Sequence, residues 1–158
     1  LGQQISVAAA RTLAARIVER YGTAHQASAA AGLGALFPPP VALADAPLEA
    51  IGLTRSRATT VRGLAQACID GRIDFSAAQT LTETVTRLCA LPGIGRWTAQ
   101  YIAMRAHSHP DAFPAGDLVL RKIAGAGTPI SERAMESIAE AWRPWRAYGV
   151  MLLWRSVG

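Results

Sequence analysis

A short turn, Leu91-Pro92-Gly93-Ile94-Gly95, carries residue types suited to binding an anion. It separates an apolar helix end from an apolar helix start at Trp97. Glycines let such a hairpin adopt positive φ angles and let another backbone approach closely. The N–H groups at the start of the second helix lie outside the helix's own hydrogen bonds and point outward as donors. The pattern predicts an anion seat, and a DNA phosphate is the occupant that we expect.

Asp117 is the carboxylate of greatest chemical interest. It follows Gly116 and precedes an apolar run, which is typical of a helix N-cap, and the residues alone favour that structural role. Capping and the helix dipole also favour an ionised carboxylate. A fixed, ionised carboxylate can stabilise positive charge developing on a sugar, or orient a water molecule. The structural and chemical interpretations are compatible.

Aromatic residues recur near this region. Trp97 and Tyr101 lie one helical turn apart and share a helix face, and Trp154 lies near the end of the chain. A tryptophan on a helix is normally a core residue. We interpret Trp142 and Trp145 as core residues on that ground.

Composition favours a folded chain with a polyanionic partner. The 158 residues fit one domain or two small lobes sharing a cleft, and 51% of them are hydrophobic. Sixteen basic and 11 acidic residues give a net charge of +5, and the pI is near 10.0. Lys122 is the only lysine.

The two cysteines have no metal-binding spacing. Cys68 and Cys89 fall on apolar helix faces, which predicts buried, reduced thiols in an intracellular protein. The sequence shows no signal peptide or long apolar span, which predicts a soluble, cytoplasmic protein. It begins at Leu1 without a methionine, so we expect it to be part of a larger polypeptide whose N-terminal region is absent.

Apolar spacing and capping residues predict an all-α fold. Two helical lobes are expected around a cleft, one over residues 1–110 and one over 111–158, with the hairpin and its helices at about 77–107. The predicted helices run over 3–21, within 27–37, over 45–51, 54–69 and 77–90, from the hairpin to about 107, and over 117–124, 131–140 and 144–154. The third begins with Asp45 and Pro47, and the fifth is capped by Ser76.

The string Leu91–Ala99, followed by Asp117, resembles the helix-hairpin-helix motif of the base-excision DNA glycosylase superfamily. Within that superfamily it resembles the DNA-3-methyladenine glycosylase II branch, which excises alkylated purines. Residues 2–8 are similar to the helix that opens this fold, and residues 142–148 with Trp154 are similar to its last helix. The resemblance covers nearly all of the chain.

The resemblance implies a monofunctional glycosylase with Asp117 as the catalytic carboxylate, twenty residues after Trp97. Superfamily members that also nick the backbone have a lysine at the position of Trp97, whose amine forms a Schiff base. Indole forms no imine, so no lyase activity is expected. Asp111, in the same loop, is interpreted as a solvated loop charge.

The resemblance also implies a base pocket made of Trp97, Tyr101 and Trp154. A flipped alkylated purine is cationic and electron-poor, so indole faces recognise it by cation–π attraction. Expected DNA contacts come from two segments of the chain. These residues are Gly93, Gly95, Arg96, Thr98, Gln3 and Gln4. Gln4 stands where some relatives have a side chain that enters the duplex and fills the gap left by the flipped base. Arg105 is a further candidate phosphate contact.

No cofactor is expected beyond a structural ion. An iron–sulfur cluster needs four cysteine ligands, and this chain has two. The resemblance implies a monovalent cation on the backbone carbonyls of Cys89, Leu91 and Ile94. The expected partner is double-stranded DNA containing alkylated bases, and the expected protein is a monomer, cytoplasmic and nucleoid-associated.

Three alternatives remain open. The chain is also compatible with a non-catalytic helix-hairpin-helix DNA-binding module or an inactive fragment of such an enzyme. A bifunctional glycosylase and lyase acting through Lys122 is a second alternative. A helical protein-interaction domain without salt-dependent DNA affinity is the third.

Overall fold

A computed structural model describes residues 1–2, 5–24, 35–75 and 79–157. The described residues form helices joined by turns, with an isolated antiparallel bridge between Thr23 and Leu36. This confirms the all-α prediction. The α-helices are α1 (Val7–Tyr21), α2 (Pro40–Leu43), α3 (Arg55–Ile69), α4 (Leu81–Cys89), α5 (Arg96–Arg105), α6 (Leu118–Ala124), α7 (Glu132–Ala139) and α8 (Arg146–Arg155). Short 3₁₀ helices span Leu48–Ile51 and Glu140–Trp142.

The chain divides into two compact units. The first comprises Leu1–Asp74 with Leu91–Gly93, and the second comprises Phe75–Ala90 with Ile94–Gly158. The second unit therefore contains α4 and α5. The predicted division instead placed these two helices in the first lobe, over residues 1–110. The cleft between two lobes stays a prediction.

In the first unit, side-chain caps begin the two long helices. The Ser6 hydroxyl accepts a hydrogen bond from the Ala9 N–H at the start of α1, and Thr54 does the same for α3. An apolar cluster fills this unit, and Ile17 of α1 is among its most buried members. The other buried members are Leu43, Ala46, Leu48, Leu53, Ala58 and Ala65.

In the second unit, α4 begins with a capping box. The Thr80 hydroxyl accepts from the Glu83 N–H, while the Glu83 carboxylate accepts from the Thr80 N–H. The core of this unit includes Phe113, Leu120, Met135 and Val150. These residues bring α6, α7 and α8 against the loop that precedes α6.

Helix ends differ from the predictions where two start signals compete. The fifth predicted helix begins at Leu81, because Thr80 with Glu83 caps it, and residues 76–78 lie outside the described residues. The 45–51 helix is a 3₁₀ turn that starts after Pro47, so Asp45 does not cap it. The last helix begins at Arg146, two residues after the predicted start at Pro144.

Two other predicted helices fall partly outside the described residues. Most of the range 27–37 lies in the undescribed residues 25–34, and α2, which begins at Pro40, was not predicted. At the N-terminus, Gln3 and Gln4 lie outside the described residues, and α1 begins at Val7.

Two burial predictions were wrong. Cys89, the last residue of α4, is exposed, and Trp145 is 57% exposed. Cys68 is half-buried, and burial raises the pKa of its thiol, with a further contribution from the Asp74 carboxylate. Trp142 packs beside the core and meets the Phe113 ring edge-on at 5.9 Å.

No helix among the described residues is long and apolar enough to cross a membrane. Within the same described ranges, no group of three or more His, Cys, Asp or Glu side chains is placed to hold a metal ion.

Candidate active site

Asp117 is the N-cap of α6. Its Oδ1 accepts a hydrogen bond from the Leu120 N–H at 3.0 Å, and the residue is only 9% exposed. Its own N–H donates to the Pro114 carbonyl at 2.9 Å, which ties the cap to the preceding loop. The buried Leu120 side chain anchors the first turn of α6 in the core. The predicted capping role is confirmed.

The Asp117 carboxylate also accepts hydrogen bonds from two indoles. Trp97 Nε1 donates to Oδ2 at 3.2 Å, and Trp154 Nε1 donates to Oδ1 at 3.2 Å. An ionised carboxylate is an acceptor-only group, so the surrounding N–H donors suit that form. Each oxygen has two lone pairs, and Oδ2 therefore retains acceptor capacity for a water molecule or a ligand.

The two indoles form a group with a third aromatic ring, and we call Trp97, Tyr101 and Trp154 the aromatic cluster. Trp97 and Tyr101 stack with ring centroids 5.4 Å apart and an interplanar angle of 19°. Tyr101 and Trp154 lie 5.9 Å apart at a tilt of 41°. Tyr101 is 37% exposed, so the cluster reaches the protein surface. An aromatic platform next to an acceptor group suits a flat, cationic ligand.

A shallow apolar depression adjoins the same region. Its volume is about 610 Å³, and Trp154 lines it together with other residues of α8. These are Tyr148, Met151, Leu152 and Arg155. Trp154 thus contributes one part of its side chain to the carboxylate and another to an open surface.

The loop before Asp117 is held from α5. The Phe113 N–H donates to Gln100 Oε1 at 2.9 Å, and both residues are buried. Since Gln100 lies one turn after Trp97 on α5, the same helix positions the loop and one of the indole donors.

The loop is also held from α8, through Arg146. This buried guanidinium donates from Nε to Asp111 Oδ1 at 2.7 Å and from Nη2 to Oδ2 at 2.8 Å. It lies 5.8 Å from the centre of the Phe113 ring. Arg143 also pairs with Asp111, and Glu140 bonds to Arg143. The interpretation of Asp111 as a solvated loop charge was therefore wrong, because its carboxylate is the centre of an ion-pair network.

The hairpin before α5 takes the conformations that its glycines allow. Gly93 has a φ of +84°, and a β-carbon there would lie 2.0 Å from Thr60 Oγ1. Gly95 is the N-cap of α5 and, lacking a side chain, makes no capping hydrogen bond. The helices α4 and α5 on either side of the turn pack against each other. This local geometry agrees with the predicted hairpin.

The candidate DNA-contacting side chains have protein partners. Arg96, whose side chain is 69% exposed, lies 3.5 Å from Glu136 across an exposed ion pair. Such a pair is weak in water and readily exchanged for another anion. Arg105 lies 3.6 Å from the Met151 sulfur. Lys122 is exposed on α6.

The structure brings together the residues predicted to do chemistry. Asp117 and the aromatic cluster share one site in the second unit, whereas Gln3 and Gln4 lie outside the described residues. The roles of these residues, and the cation site on Cys89, Leu91 and Ile94, stay predictions.

Sequence reasoning missed two residues that hold the site. Arg146 and Gln100 are polar side chains on otherwise apolar helix faces, and both are buried. A buried polar side chain normally has a hydrogen-bond partner. The presence of a polar residue on an apolar helix face was therefore the available sign that it holds another part of the chain. Their partners lie 35 and 13 residues away, which no local pattern encodes.

Comparison with known proteins places the chain in a family. The model of the HhH-GPD superfamily of base excision DNA repair proteins matches residues 1–147. The chain belongs to this superfamily. The helix-hairpin-helix motif, abbreviated HhH in the superfamily's name, consists of α4, the turn with Gly93 and Gly95, and α5.

Two curated relatives match almost the whole of this chain. A Mycobacterium tuberculosis protein named probable bifunctional transcriptional activator/DNA repair enzyme AlkA is 38% identical over 99% of this chain and 32% of its own length. The Escherichia coli DNA-3-methyladenine glycosylase 2 is 34% identical over 100% of this chain and 55% of its own length. The chain thus spans between a third and just over half of these curated relatives.

A solved structure shares the fold. The crystal structure of a DNA-3-methyladenine glycosidase from Bacillus halodurans superposes with a TM-score of 0.77 at 25% identity, over 99% of this chain and 71% of that one. The all-α arrangement is therefore that of this superfamily.

Proposed function

We propose that the chain is the catalytic region of a monofunctional DNA glycosylase that removes alkylated bases of the 3-methyladenine type from double-stranded DNA by base flipping. One observation carries the proposal: the Asp117 carboxylate receives the indole N–H groups of Trp97 and Trp154 beside an exposed aromatic platform. The helix cap alone would serve a protein that only bound DNA, whereas the two indole donors and the exposed aromatic platform beside the carboxylate favour chemistry on a bound base. The named relatives support the substrate class.

The aromatic cluster would hold the base. Alkylation at a ring nitrogen makes a purine cationic, and a cation over an indole or phenol face gains cation–π attraction. Tyr101 and the two tryptophans offer such faces, and the Tyr101 ring centre lies within 6 Å of that of each tryptophan. Neutral, unmodified bases would gain less, so the platform would favour damaged bases without reading their edges.

Asp117 would act on the sugar. Breaking the C1′–N bond leaves the electron pair on the base, and an N-alkylated purine departs neutral without needing a proton. The sugar then carries oxocarbenium-like positive charge, which a nearby carboxylate stabilises. Water adds its oxygen to C1′, and its proton passes to the Asp117 carboxylate or to solvent. The products are the free base and an abasic site.

The side chains present argue against a lyase step. Forming a Schiff base requires a protein amine that can attack the sugar. The lyases of this superfamily supply it from a lysine, and this chain has the indole of Trp97 at that position. Lys122, the one lysine in the sequence, is exposed on α6. The abasic site would therefore be released intact.

The remaining DNA contacts belong to the same proposal. The hairpin would hold a phosphate through Gly93, Gly95 and Thr98, with Arg96 exchanging its exposed Glu136 pair for the DNA backbone. Gln3 or Gln4 would fill the gap left by the flipped base. A monovalent cation on the carbonyls of Cys89, Leu91 and Ile94 would bridge to a phosphate.

We also propose that the protein is a monomer that acts in the cytoplasm on nucleoid DNA. A base-excision enzyme of this kind works wherever its duplex substrate is, and the proposed contacts come from one chain.

The test is base release from alkylated duplex DNA, with Asp117→Asn compared with the parent. Asparagine caps helices as well as aspartate does, so the fold should persist while the charge is lost. Asp45→Asn, an exposed aspartate in the first unit, is the matched control. We expect Asp117→Asn to lose release by about a hundredfold or more, with duplex affinity retained.

The outcomes separate the alternatives. If the parent releases no base but both proteins bind duplex DNA equally, the chain is a DNA-binding module. Salt-independent binding, or none, would favour a protein-interaction domain. A covalent adduct to DNA trapped by borohydride through Lys122 would contradict the monofunctional assignment.

A further inference from the structure

The two indole N–H groups approach the Asp117 carboxylate from different sides. Trp97 Nε1 contacts Oδ2, and Trp154 Nε1 contacts Oδ1, which the Leu120 N–H also contacts. The three donors come from α5, α8 and α6 respectively. The carboxylate is thus held by three different helices of one unit.

The capping bond alone would not fix the plane of this group. It holds one oxygen near the first turn of α6, while the terminal torsion of an aspartate is broad. A second donor on the other oxygen restricts that torsion, because rotation would break either the Trp97 or the Trp154 bond. A reacting carboxylate must be held within fractions of an ångström of its productive position.

The faces and edges of the indoles point in different directions. The ring face of Trp97 stacks on Tyr101, while its N–H, in the ring plane, reaches the carboxylate. Face stacking and edge hydrogen bonding therefore operate at once. A ligand that stacks on the cluster would press on the same side chains that orient Asp117.

We propose that Trp97 and Trp154 are positioning residues, whose N–H groups set the plane of the Asp117 carboxylate as the ring faces bind the base. This rests on the proposed function. It assigns to the tryptophans an effect on the rate of bond cleavage in addition to any effect on binding. The alternative is structural, since a half-buried indole N–H commonly finds some acceptor.

The first experiment measures the hydrogen bonds without DNA. The chain has four tryptophans, so its indole N–H region in a nitrogen–proton NMR spectrum holds few signals. In Asp117→Asn, the amide N–H₂ replaces the oxygen that faces Trp97 if the remaining oxygen keeps the cap. We expect the Trp97 signal to shift and exchange faster with solvent, while that of exposed Trp145 stays unchanged. An unshifted pair of Trp97 and Trp154 signals would overturn the proposal.

The second experiment removes the N–H and keeps the ring. Trp97→Phe and Trp154→Phe are compared with Trp145→Phe, which makes the same change at an exposed tryptophan outside the aromatic cluster. Single-turnover base release from alkylated duplex DNA gives the cleavage rate, and titration with duplex containing an abasic site gives the affinity. We expect each tryptophan variant to lose about tenfold to a hundredfold in rate, with affinity within about threefold of the parent. Trp145→Phe should keep the parent rate.

An isosteric replacement guards against misfolding. Replacing the Trp97 indole by a benzothiophene ring keeps the bicycle and substitutes sulfur for the N–H. A rate loss equal to that of Trp97→Phe supports positioning, and a parent-like rate overturns it. A loss confined to affinity also overturns it, because it assigns the tryptophans to binding alone.

The results distinguish the two proposals. If the parent releases no base, the proposed function fails and the positioning role fails with it. If the parent releases base and the variants match it, the glycosylase assignment stands and only the positioning role is wrong.

Discussion

Gly93→Ala tests whether the hairpin glycine serves the fold as well as the DNA. An alanine at a φ of +84° costs about 1–2 kcal/mol, because its β-carbon crowds the backbone. The added carbon would also lie 2.0 Å from Thr60 Oγ1, so Thr60 must move and give up its 3.1 Å bond to the Ser56 carbonyl. Overpacking of this kind costs about 1–3 kcal/mol. We expect a total loss of about 2–5 kcal/mol.

The neighbouring glycine provides the matched control. Gly95 has a φ of −85°, and a β-carbon there meets nothing within 4 Å. Gly95→Ala should change stability by less than about 1 kcal/mol. Thr60→Ala combined with Gly93→Ala removes the close oxygen contact, so the double variant should recover about 1–3 kcal/mol and retain the φ cost.

Urea unfolding followed by circular dichroism measures these differences, and duplex-DNA affinity is measured in parallel. If Gly93→Ala is as stable as Gly95→Ala, or if Thr60→Ala recovers nothing, the steric argument is refuted. Equal losses of DNA affinity in two stable variants would instead assign both glycines to phosphate binding.

Two further predictions concern ion pairs. Arg146→Ala leaves the Asp111 carboxylate, whose side chain is 20% exposed, paired with Arg143 among the described residues. We expect this variant to lose about 2–4 kcal/mol of unfolding free energy in urea. Arg143→Ala removes a side chain that is 47% exposed and should lose less than about 1 kcal/mol. Equal losses would contradict the burial argument. Hydrogen bonds from Arg62 lower the pKa of Glu49 from 4.5 to about 2, so their stabilisation is present above pH 4.5 and is lost as the pH falls toward 2. Arg62→Gln should flatten the pH dependence of the urea midpoint in that range, and an unchanged slope would contradict the assignment.

The helices were predictable where one local signal acts alone. Thr54 before α3, Ser131 before α7 and Asp117 before α6 each accept a bond from an N–H three residues on, so the cap and its partner lie within one turn. The predicted cap Ser76 lies outside the described residues, and Thr80 makes a reciprocal cap with Glu83 where the described helix begins. When two capping residues lie close together, the sequence alone does not reveal which of them begins the helix.

The site was predictable in its residues but not in its geometry. Trp97 and Asp117 could be paired by a resemblance in spacing, whereas the indole bonds depend on how α5, α6 and α8 pack. The Arg146–Asp111 pair, 35 residues apart, likewise arises only in the folded core. Exposed Cys89 shows the same limit, because helix periodicity does not say which apolar positions at a helix end are covered.

The capping role of Asp117 bears on how such a protein can evolve. Groups that carry chemistry often lower stability, so selection for activity and selection for folding act against each other. Under the proposed function both favour the same side chain here, since the carboxylate that would act on the sugar also stabilises α6. Aspartate and asparagine codons differ by one nucleotide, and both residues cap helices well. One mutation would therefore silence the chemistry in a gene copy while leaving a folded product. If the proposed function holds, such copies would still fold and bind damaged DNA but would no longer release the base.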